Sequence, residues 1–300
     1  STWEASTPAP CWARVIGYHP RSVKCRRAGI QSITQSSRTE AYYYGKYTRT
    51  QWQLSDHCTP EQVSIFLDFI EKPYAIKVRG HKRIDDTGLP YTVGDYVITK
   101  SIPEQVRILF ILAIYSGLRK GELLALQWDD INFDSDIVQV SKAVTIVDGK
   151  PICKAPKTKT SHRSISIPHS LTERLAQLKK SQDEFRSQVG DYWQGENWIF
   201  TQENGKMMNY STPYQALQDT IVRYNNGKPT DQQLPRIPFH GLRHTSATLL
   251  IASQQDVKTV SKRLGHAQTS TTMNIYAHAL QESDRKAADA LETLLKKRSQ

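Results

Sequence analysis

The longest unbroken apolar stretch of the chain, residues 108–115, lies within a segment that has the pattern of a helix. Its eight residues are far fewer than the ~20 that a membrane-spanning helix needs, so the stretch predicts a buried helix and no membrane span. Ser101 and Glu104 have the spacing of a capping box, which predicts a helix start there and an apolar helix from about Val106 to Tyr115. After it, Gly117-Leu118-Arg119 is expected at the point where the buried scaffold gives way to an open site.

The first regular helical pattern of the chain begins at Thr59. Thr59 and Gln62 form a capping box around Pro60, a residue that suits the first position of a helix. A folded domain is therefore expected to start here. Residues 77–100 then interrupt the pattern with several glycines and a proline, and they predict a loop or a hairpin insertion.

Short segments in the middle of the chain have strand character. Residues 137–140, residues 143–147 with an Asp-Gly turn behind them, and residues 164–167 predict a small antiparallel sheet. Capped helices are predicted to begin at Ser170 and Thr212, and most of the last hundred residues have helical character. The expected fold class is α+β, mainly α with a small antiparallel β-sheet.

The first 53 residues differ from the rest in charge and in pattern. They carry eight basic residues against two acidic ones, which is more than half of the net charge of +11, and they lack a sustained helical period. Residues 42–47 mix tyrosines with lysine, as DNA-contacting segments do, and a poorly ordered linker fits equally well. The predicted organisation is a basic segment over 1–53, a folded domain over 54–280 and a C-terminal helix over 281–300.

The charge of the chain favours nucleic acid as its partner. A net charge of +11 and a pI near 9.4 attract a phosphate backbone and release its counterions. The four cysteines stand apart without a CxxC pair, so neither a disulfide framework nor a zinc site is predicted. Without a P-loop or a carboxylate cluster for two metal ions, no cofactor and no metal are expected. The first residues lack a signal-peptide pattern, which predicts a cytoplasmic protein.

The C-terminal half contains the residue types that metal-free cleavage of DNA requires. These are a nucleophile, cations that neutralise the phosphate oxygens, and an acid that protonates the departing 5′ oxygen. The sequence GLRKGE provides Arg119, HGLRH provides His240 and Arg243, and LGH provides His266 at a turn. Ten residues after His266 comes Tyr276. Any one of these residues by itself is more often structural.

Their order and spacing together resemble those of the tyrosine recombinase (phage integrase) family. The three motifs match its boxes, the run TSTTMNIYAH is especially close, and the similarity extends from Thr59 to the C-terminus. Integrases of bacterial conjugative transposons and temperate phages are the most similar kind. The resemblance implies the tyrosine recombinase catalytic-domain fold over 54–280. It also implies a site-specific recombinase that acts on the nucleoid of a bacterium without metal or ATP.

The resemblance also implies a role for each matching residue. Arg119 and Arg243 would clamp the scissile phosphate, while His240 and His266 would assist proton transfer. Tyr276 would attack the phosphorus and form a 3′-phosphotyrosine, which a 5′ hydroxyl of another strand then resolves. His244 points about 100° away from Arg243 around the helix and is interpreted as a packing or capping residue.

The family also uses a lysine from a β-hairpin as the acid for the 5′ oxygen. In the segment PKTKTSHR, Lys157 is the preferred candidate and Lys159 is its rival, because sequence does not show which side chain points inward. Glu122 is expected to support Arg119 or the fold rather than to touch DNA.

Partners and assembly follow from the same resemblance. Double-stranded DNA is the expected substrate, a homotetramer on two duplexes is the expected assembly, and DNA-bending accessory proteins are candidate helpers. The segment 281–300 either docks on a neighbouring protomer or packs on its own domain. Residues 1–53 are too few for the four-helix core-binding domain that usually precedes the catalytic domain, so a truncated or divergent N-terminus is expected. The segment would be a DNA-contacting arm or a remnant of that domain.

Two other functions fit part of the sequence. A type IB topoisomerase forms the same covalent bond but reseals the same strand, and the LGH motif and the small size of the chain argue against it. A DNA-binding architectural protein or repressor would keep the fold without catalysis. The filling of all six expected catalytic positions argues against that alternative.

Overall fold

The computed structural model describes residues 57–154, 162–266 and 269–275, together with residues 288, 289 and 292. The helices in these ranges are α1 (Pro60–Glu71), α2 (Glu104–Ser116), α3 (Lys120–Leu124), α4 (His169–Val189), α5 (Thr212–Asn225), α6 (Gly241–Ala252), α7 (Val257–Leu264) and α8 (Thr269–Ile275). The strands are β1 (Tyr74–Val78), β2 (His81–Ile84), β3 (Pro90–Val93), β4 (Tyr96–Lys100), β5 (Ile131–Asn132), β6 (Ile137–Val140), β7 (Ala143–Val147), β8 (Lys150–Lys154) and β9 (Arg163–Ser166).

Helix α2 forms the centre of the main core. Its residues from Ile108 to Ile114 are at most 8% exposed, so the helix is buried on every side. Helices α1, α3, α4, α5 and α6 all pack against it. At its C-terminus Gly117 adopts a left-handed conformation with φ +63°, and an added Cβ would come within 2.6 Å of the Leu264 side chain of α7. The predicted buried helix and its glycine end are confirmed.

The predicted small antiparallel sheet is present as two separate units. Strands β5, β6 and β9 form a three-stranded antiparallel sheet, whereas β7 pairs with β8. The predicted Asp148-Gly149 turn joins β7 to β8, and both of its residues have positive φ, as a tight hairpin turn requires. Gly121 of α3 lies so close to β7 that a Cβ would stand 2.3 Å from the Val144 carbonyl oxygen. Strand β7 therefore serves as a support for α3.

Residues 74–100 form the hairpin insertion that the sequence predicts as one of two possibilities. Strands β1 and β4 pair at its base, and β2 and β3 pair at its tip. Between the two ladders, the Gly80 amide donates to the Asp95 carboxylate over 2.6 Å. The base is held by the Arg223 guanidinium, which lies 3.9 Å from the centre of the Tyr74 ring. Most side chains of β2 and β3 are exposed.

The predicted helix starts are only partly correct. The capping box of Thr59 and Gln62 is present at α1. The capping box predicted at Ser101 is wrong, because α2 starts at Glu104 behind Pro103 and has no side-chain cap. The Glu104 carboxylate instead accepts two hydrogen bonds from Arg174 of α4, at 2.9 and 2.7 Å.

The caps predicted for α4 and α5 are also wrong, although both helices exist. Helix α4 starts at His169, behind Pro168, and α5 starts at Thr212, behind Ser211, without a side-chain cap in either case. Every helix in the described part of the chain is too short or too polar to cross a membrane. The predictions for 1–53 and for nearly all of 281–300 lie outside the described residues, and the domain boundaries stay predictions.

Candidate active site

Four of the six predicted catalytic residues lie where the ends of α2, α6 and α7 meet. Arg119 follows α2 and immediately precedes α3, and His240 is the residue before α6. Arg243 is in the first turn of α6, and His266 follows the glycine that ends α7. Helix ends expose unpaired backbone groups and open toward solvent, so they can present charged side chains to a ligand.

The other two predicted catalytic residues lie outside the described residues. Tyr276 comes directly after Ile275, the last residue of α8. Lys157 and its rival Lys159 belong to residues 155–161, between β8 and β9. Their assignment therefore stays a prediction.

Arg119 is held by hydrogen bonds from its backbone amide and its guanidinium, yet its side chain remains partly exposed. Its backbone amide donates to Glu122 Oε2 over 2.8 Å, and its Nη1 donates to Glu122 Oε1 over 3.0 Å. A longer hydrogen bond of 3.4 Å joins Nη2 to the carbonyl oxygen of Gly265. The side chain is still 42% exposed, so it can receive an anion without leaving these partners.

Arg163 is a central residue of this cluster that sequence reasoning did not identify. Its guanidinium binds Glu122 with two parallel hydrogen bonds, Nη1 to Oε1 over 3.1 Å and Nη2 to Oε2 over 2.8 Å. The Arg163 side chain is 4% exposed and that of Glu122 is 7% exposed. The sequence offered one signal. Arg163 opens a strand that packs in the core, and a buried cation needs an acidic partner.

The pKa of Glu122 lies below its ordinary value. Burial works to raise this pKa, but the hydrogen bonds and charge of Arg163, followed by those of Arg119, outweigh it. Glu122 is therefore a carboxylate at neutral pH. The prediction that Glu122 supports Arg119 agrees with these contacts.

Arg243 ties α6 to the end of α2. It is only 2% exposed, and its Nη1 donates to the Gly117 carbonyl oxygen over 2.7 Å. That carbonyl belongs to the left-handed cap of α2, where the helix supplies no partner of its own. Arg243 is thereby fixed in direction, in the same cluster as Arg119.

His240 and His244 form a pair at the start of α6. Their rings meet edge to face, with centroids 4.9 Å apart and an interplanar angle of 83°. His240 is exposed, yet partial burial of its ring and the charges of His244, Arg243 and Arg119 lower its pKa to about 4. The sequence-based interpretation of His244 as a packing residue holds, but the residue it packs on is a site residue. The spacing of four from His240, which puts both on one face, was the signal for this contact.

His266 is oriented by α8. Its Nδ1 lies 2.8 Å from the Thr272 hydroxyl, and its backbone amide donates to the Ser261 carbonyl over 3.1 Å. Burial, and then the charges of Arg243 and Arg119, lower the pKa of His266 to about 4. The preceding Gly265 has φ +69°, so the predicted position of His266 at a turn is confirmed.

The resulting site combines positive charge with neutral imidazoles. Arg119, Arg163 and Arg243 contribute three cations, and Glu122 is the carboxylate that two of them share. With pKa values of about 4, His240 and His266 are uncharged near neutral pH. Such an arrangement suits a monoanionic phosphodiester, because guanidinium groups bind phosphate oxygens and a neutral imidazole can accept a proton.

Comparison with known sequences gives a consistent picture. Residues 93–283 match the Phage integrase family. A XerC-like tyrosine recombinase of Caldanaerobacter subterraneus is 34% identical over 202 residues, covering 63% of this chain and 50% of the relative. The ICEBs1 integrase of Bacillus subtilis is 33% identical over 189 residues, covering 63% and 49%. The chain thus spans about half the length of these curated relatives.

Comparison with solved structures supports the fold. The Tn1549 transposon integrase in complex with transposon right end DNA matches with a TM-score of 0.57 at 20% identity, over 79% of this chain and 66% of that chain. The XerA recombinase matches with a TM-score of 0.50 at 17% identity, over 79% and 67%. At these identities the likeness concerns the fold alone, and it confirms the predicted recombinase fold, mainly α with small antiparallel sheets.

Proposed function

The chain belongs to the phage integrase family, as its motifs predict, and from this membership we propose that it is a site-specific recombinase that cleaves and rejoins double-stranded DNA. The observation that carries the proposal is the convergence of Arg119, Arg243, His240 and His266 at three helix ends. Arg119 lies more than a hundred residues before the other three in the sequence, yet contacts to Gly117, Glu122 and Gly265 hold both arginines in one cluster.

In the proposed cleavage step, Arg119 and Arg243 bind the non-bridging oxygens of the scissile phosphate. The Tyr276 hydroxyl attacks phosphorus, a bond from phosphorus to the tyrosine oxygen forms, and the bond from phosphorus to the 5′ oxygen breaks. The tyrosine proton passes to a neutral histidine, and Lys157 gives a proton to the departing 5′ oxygen, with Lys159 as the alternative donor. The 3′-phosphotyrosine keeps the energy of the phosphodiester.

Rejoining reverses these steps on a different strand. The 5′ hydroxyl of the incoming strand attacks phosphorus and gives its proton to Lys157, or to Lys159 as the alternative. The bond from phosphorus to the tyrosine oxygen breaks, and Tyr276 takes its proton back from the histidine as it leaves. The two arginines stabilise the same phosphate in both directions, so neither step requires a metal ion. Because the phosphotyrosine keeps the energy of the broken phosphodiester, rejoining requires no ATP. Two such exchanges, through a Holliday junction, accomplish integration or excision.

The neutral state of the histidines suits this chemistry. His240 and His266 have pKa values of about 4 because burial and neighbouring arginines oppose their protonation. A bound phosphate brings a negative charge that offsets those arginines and raises both pKa values. The imidazoles thus become better proton acceptors when DNA occupies the site.

The proposed assembly is a homotetramer on two DNA duplexes, helped by DNA-bending proteins on the bacterial nucleoid in the cytoplasm. Strand exchange between two duplexes requires four cleavages, and one tyrosine per protomer supplies one of them. Similarity to the ICEBs1 integrase and to the Tn1549 transposon integrase supports a mobile element as the setting.

A suicide-substrate assay tests the proposal. The chain is incubated with nicked duplexes that carry candidate element ends, and the products are resolved on a denaturing gel and mapped by mass spectrometry. We expect a covalent adduct on Tyr276, which Tyr276→Phe abolishes while DNA binding persists. Tyr214→Phe is the matched control, because Tyr214 is an exposed tyrosine of α5.

Other results would redirect the assignment. Tight binding on several substrates without an adduct would favour a DNA-binding architectural protein. An adduct together with relaxation of supercoiled plasmid, but no joined products between two duplexes, would favour a topoisomerase-like enzyme.

A further inference from the structure

Glu122 accepts hydrogen bonds from two arginines, and Arg163 is the more deeply buried of the two. We propose that Arg163 is a positioning residue of the cleavage site, which holds Glu122 in place so that Glu122 orients Arg119 toward the phosphate. The inference rests on the proposed function and names a residue that acts through others rather than touching DNA.

Three contacts of Arg163 carry the argument. Two of its nitrogens bind the two oxygens of Glu122, and its Nε donates to the Arg263 carbonyl oxygen over 2.8 Å. The guanidinium is planar, so these three bonds fix its plane as well as its position. Glu122 in turn receives both the backbone amide and the Nη1 of Arg119. The orientation of Arg119 therefore depends on a carboxylate that Arg163 immobilises.

The balance of charge explains why Glu122 needs Arg163. Burial alone would raise the pKa of this carboxyl, and Arg163 is the strongest influence that lowers it. Arg119 is 42% exposed, so solvent screens its charge more than that of the buried Arg163. Without Arg163, the buried Glu122 would keep only the half-exposed Arg119 as its cationic partner, and it would protonate or turn away.

Arg163 also connects this carboxylate to the end of α7. The Nε of Arg163 donates to the backbone carbonyl of Arg263, and a Cβ added to Gly265 would lie 2.8 Å from the Nη1 of Arg163. His266 follows directly in the chain. One buried guanidinium thus keeps the turn that carries His266 in register with the carboxylate that carries Arg119.

Arg263 provides a matched control for a purely structural effect. It is a partly buried arginine at the same junction, and its Nη2 donates to the carbonyl oxygens of Tyr115 and Ser166 over 2.7 and 2.9 Å. These bonds join α7 to α2 and β9. Those of Arg163 join β9 to α7 and, through the Glu122 carboxylate, to α3. Loss of Arg263 should loosen the fold without releasing the Arg119 partner.

The experiment compares two substrates that differ in charge at one phosphate. Nicked duplexes that the wild-type chain cleaves are made with either a phosphodiester or a neutral methylphosphonate at the scissile position. A cation contributes less to the cleavage of the neutral group, since there is less charge to stabilise. Variants Arg163→Met and Arg263→Met are compared with wild type for cleavage rate on both substrates, for DNA affinity and for thermal unfolding.

We expect Arg163→Met to lose cleavage by about 100-fold on the phosphodiester, the effect of removing one well-placed donor, and by less than about 5-fold on the methylphosphonate. Arg263→Met should lose equally on both substrates. Equal losses for Arg163→Met would overturn the inference and leave a structural arginine. If Arg163→Met does not fold, Glu122→Gln replaces it and should show the same selective loss.

The result separates this inference from the proposed function. If wild type gives no adduct on any duplex, the proposed function fails. If wild type cleaves and neither Arg163→Met nor Glu122→Gln distinguishes the two substrates, only the role of Arg163 fails.

Discussion

The two site histidines differ from an ordinary surface histidine because burial and the arginines beside them lower their pKa values. Burial is the largest influence that lowers the pKa of both His240 and His266, and the charges of Arg243 and Arg119 add to the effect. A histidine that kept its usual pKa near ~6.5 would be partly charged at neutral pH, and only its neutral fraction could accept a proton. The guanidinium groups that bind phosphate thus also keep the proton acceptors uncharged.

We therefore expect His240 and His266 to titrate below about pH 5 in the free protein, and the expected midpoint for each is about 4. Proton NMR of the imidazole resonances between pH 3.5 and 8 measures this. His169 is an internal control, because its hydrogen bond with Asp136 raises its pKa. Substitution Arg119→Ala removes one cation and should move the His266 midpoint upward. Midpoints near 6.5 for both site histidines would contradict the proposed electrostatics.

The same depression of pKa makes stability depend on pH in a defined direction. Below about pH 6.5 the unfolded chain binds protons at these two histidines, while the folded chain does not until about pH 4. Their contribution to the free energy of unfolding therefore decreases as the pH falls through this window. Urea unfolding at several pH values measures this decrease, and replacing both residues by Gln should reduce it.

At the scale of elements, the site depends on glycines that end two helices. Gly117 ends α2 and Gly265 ends α7, and both adopt left-handed backbone conformations. At either position a side chain would collide with a neighbour, Leu264 in the first case and Arg163 in the second. Helix ends can therefore approach closely enough to place Arg119 and His266 in one cluster.

We expect Gly265→Ala to destabilise the chain by about 2–3 kcal/mol, from the left-handed conformation and from the crowding of Arg163. Gly227→Ala is the matched control, because Gly227 has φ +76° and open space around its Cβ position. It should cost only about 1 kcal/mol for the backbone. Free energies of unfolding from urea titration compare the two, and equal losses would show that the Arg163 contact adds nothing.

Local patterns in the sequence predicted elements better than they predicted contacts. The capping box at Thr59 and the glycine after the apolar helix are short-range features, and the structure confirms both. The cap predicted at Ser101 failed because Glu104 binds Arg174, a residue 70 positions away. Such a competing partner is set by packing and is not visible in a local pattern.

In the candidate site, too, local motifs predicted residues better than contacts. Arg119, His240, Arg243 and His266 could be named from their motifs, and the structure brings them to neighbouring helix ends. Arg163 was missed because its partner Glu122 lies 41 residues earlier in the chain. A lone arginine next to a strand reads as a surface cation unless the burial of the strand is known.

For the whole molecule, positive charge is unevenly distributed along the chain. Residues 1–53 carry eight basic and two acidic residues, within a total of +11. The site adds buried and half-buried arginines at the meeting of α2, α6 and α7. A duplex held in the site would bring its flanking phosphates within reach of further cations, and each phosphate neutralised would release counterions.

DNA affinity should therefore fall steeply with salt. If about six phosphates are neutralised, the logarithm of the association constant should decrease with the logarithm of salt concentration with a slope of about −5. Fluorescence anisotropy with a labelled duplex between 50 and 200 mM salt, about the range in which such contacts change most, measures the slope. A flat profile would contradict a binding mode based on phosphate contacts.

A pair of double variants locates the contribution of the N-terminal segment. Arg26→Gln with Arg27→Gln should make the slope shallower by about 1.8, the effect of two lost phosphate contacts, if the basic segment lies along the DNA. Lys179→Gln with Lys180→Gln is the control. Both lysines lie on α4, where Lys179 is paired with Asp183. Arg174 of α4 binds Glu104 at the start of α2, whereas the candidate site lies at the other end of α2. An unchanged slope in the first pair would mean that residues 26 and 27 do not touch phosphate. Equal changes of slope in both pairs would show a general effect of net charge, because a local phosphate contact would change the slope only for the first pair.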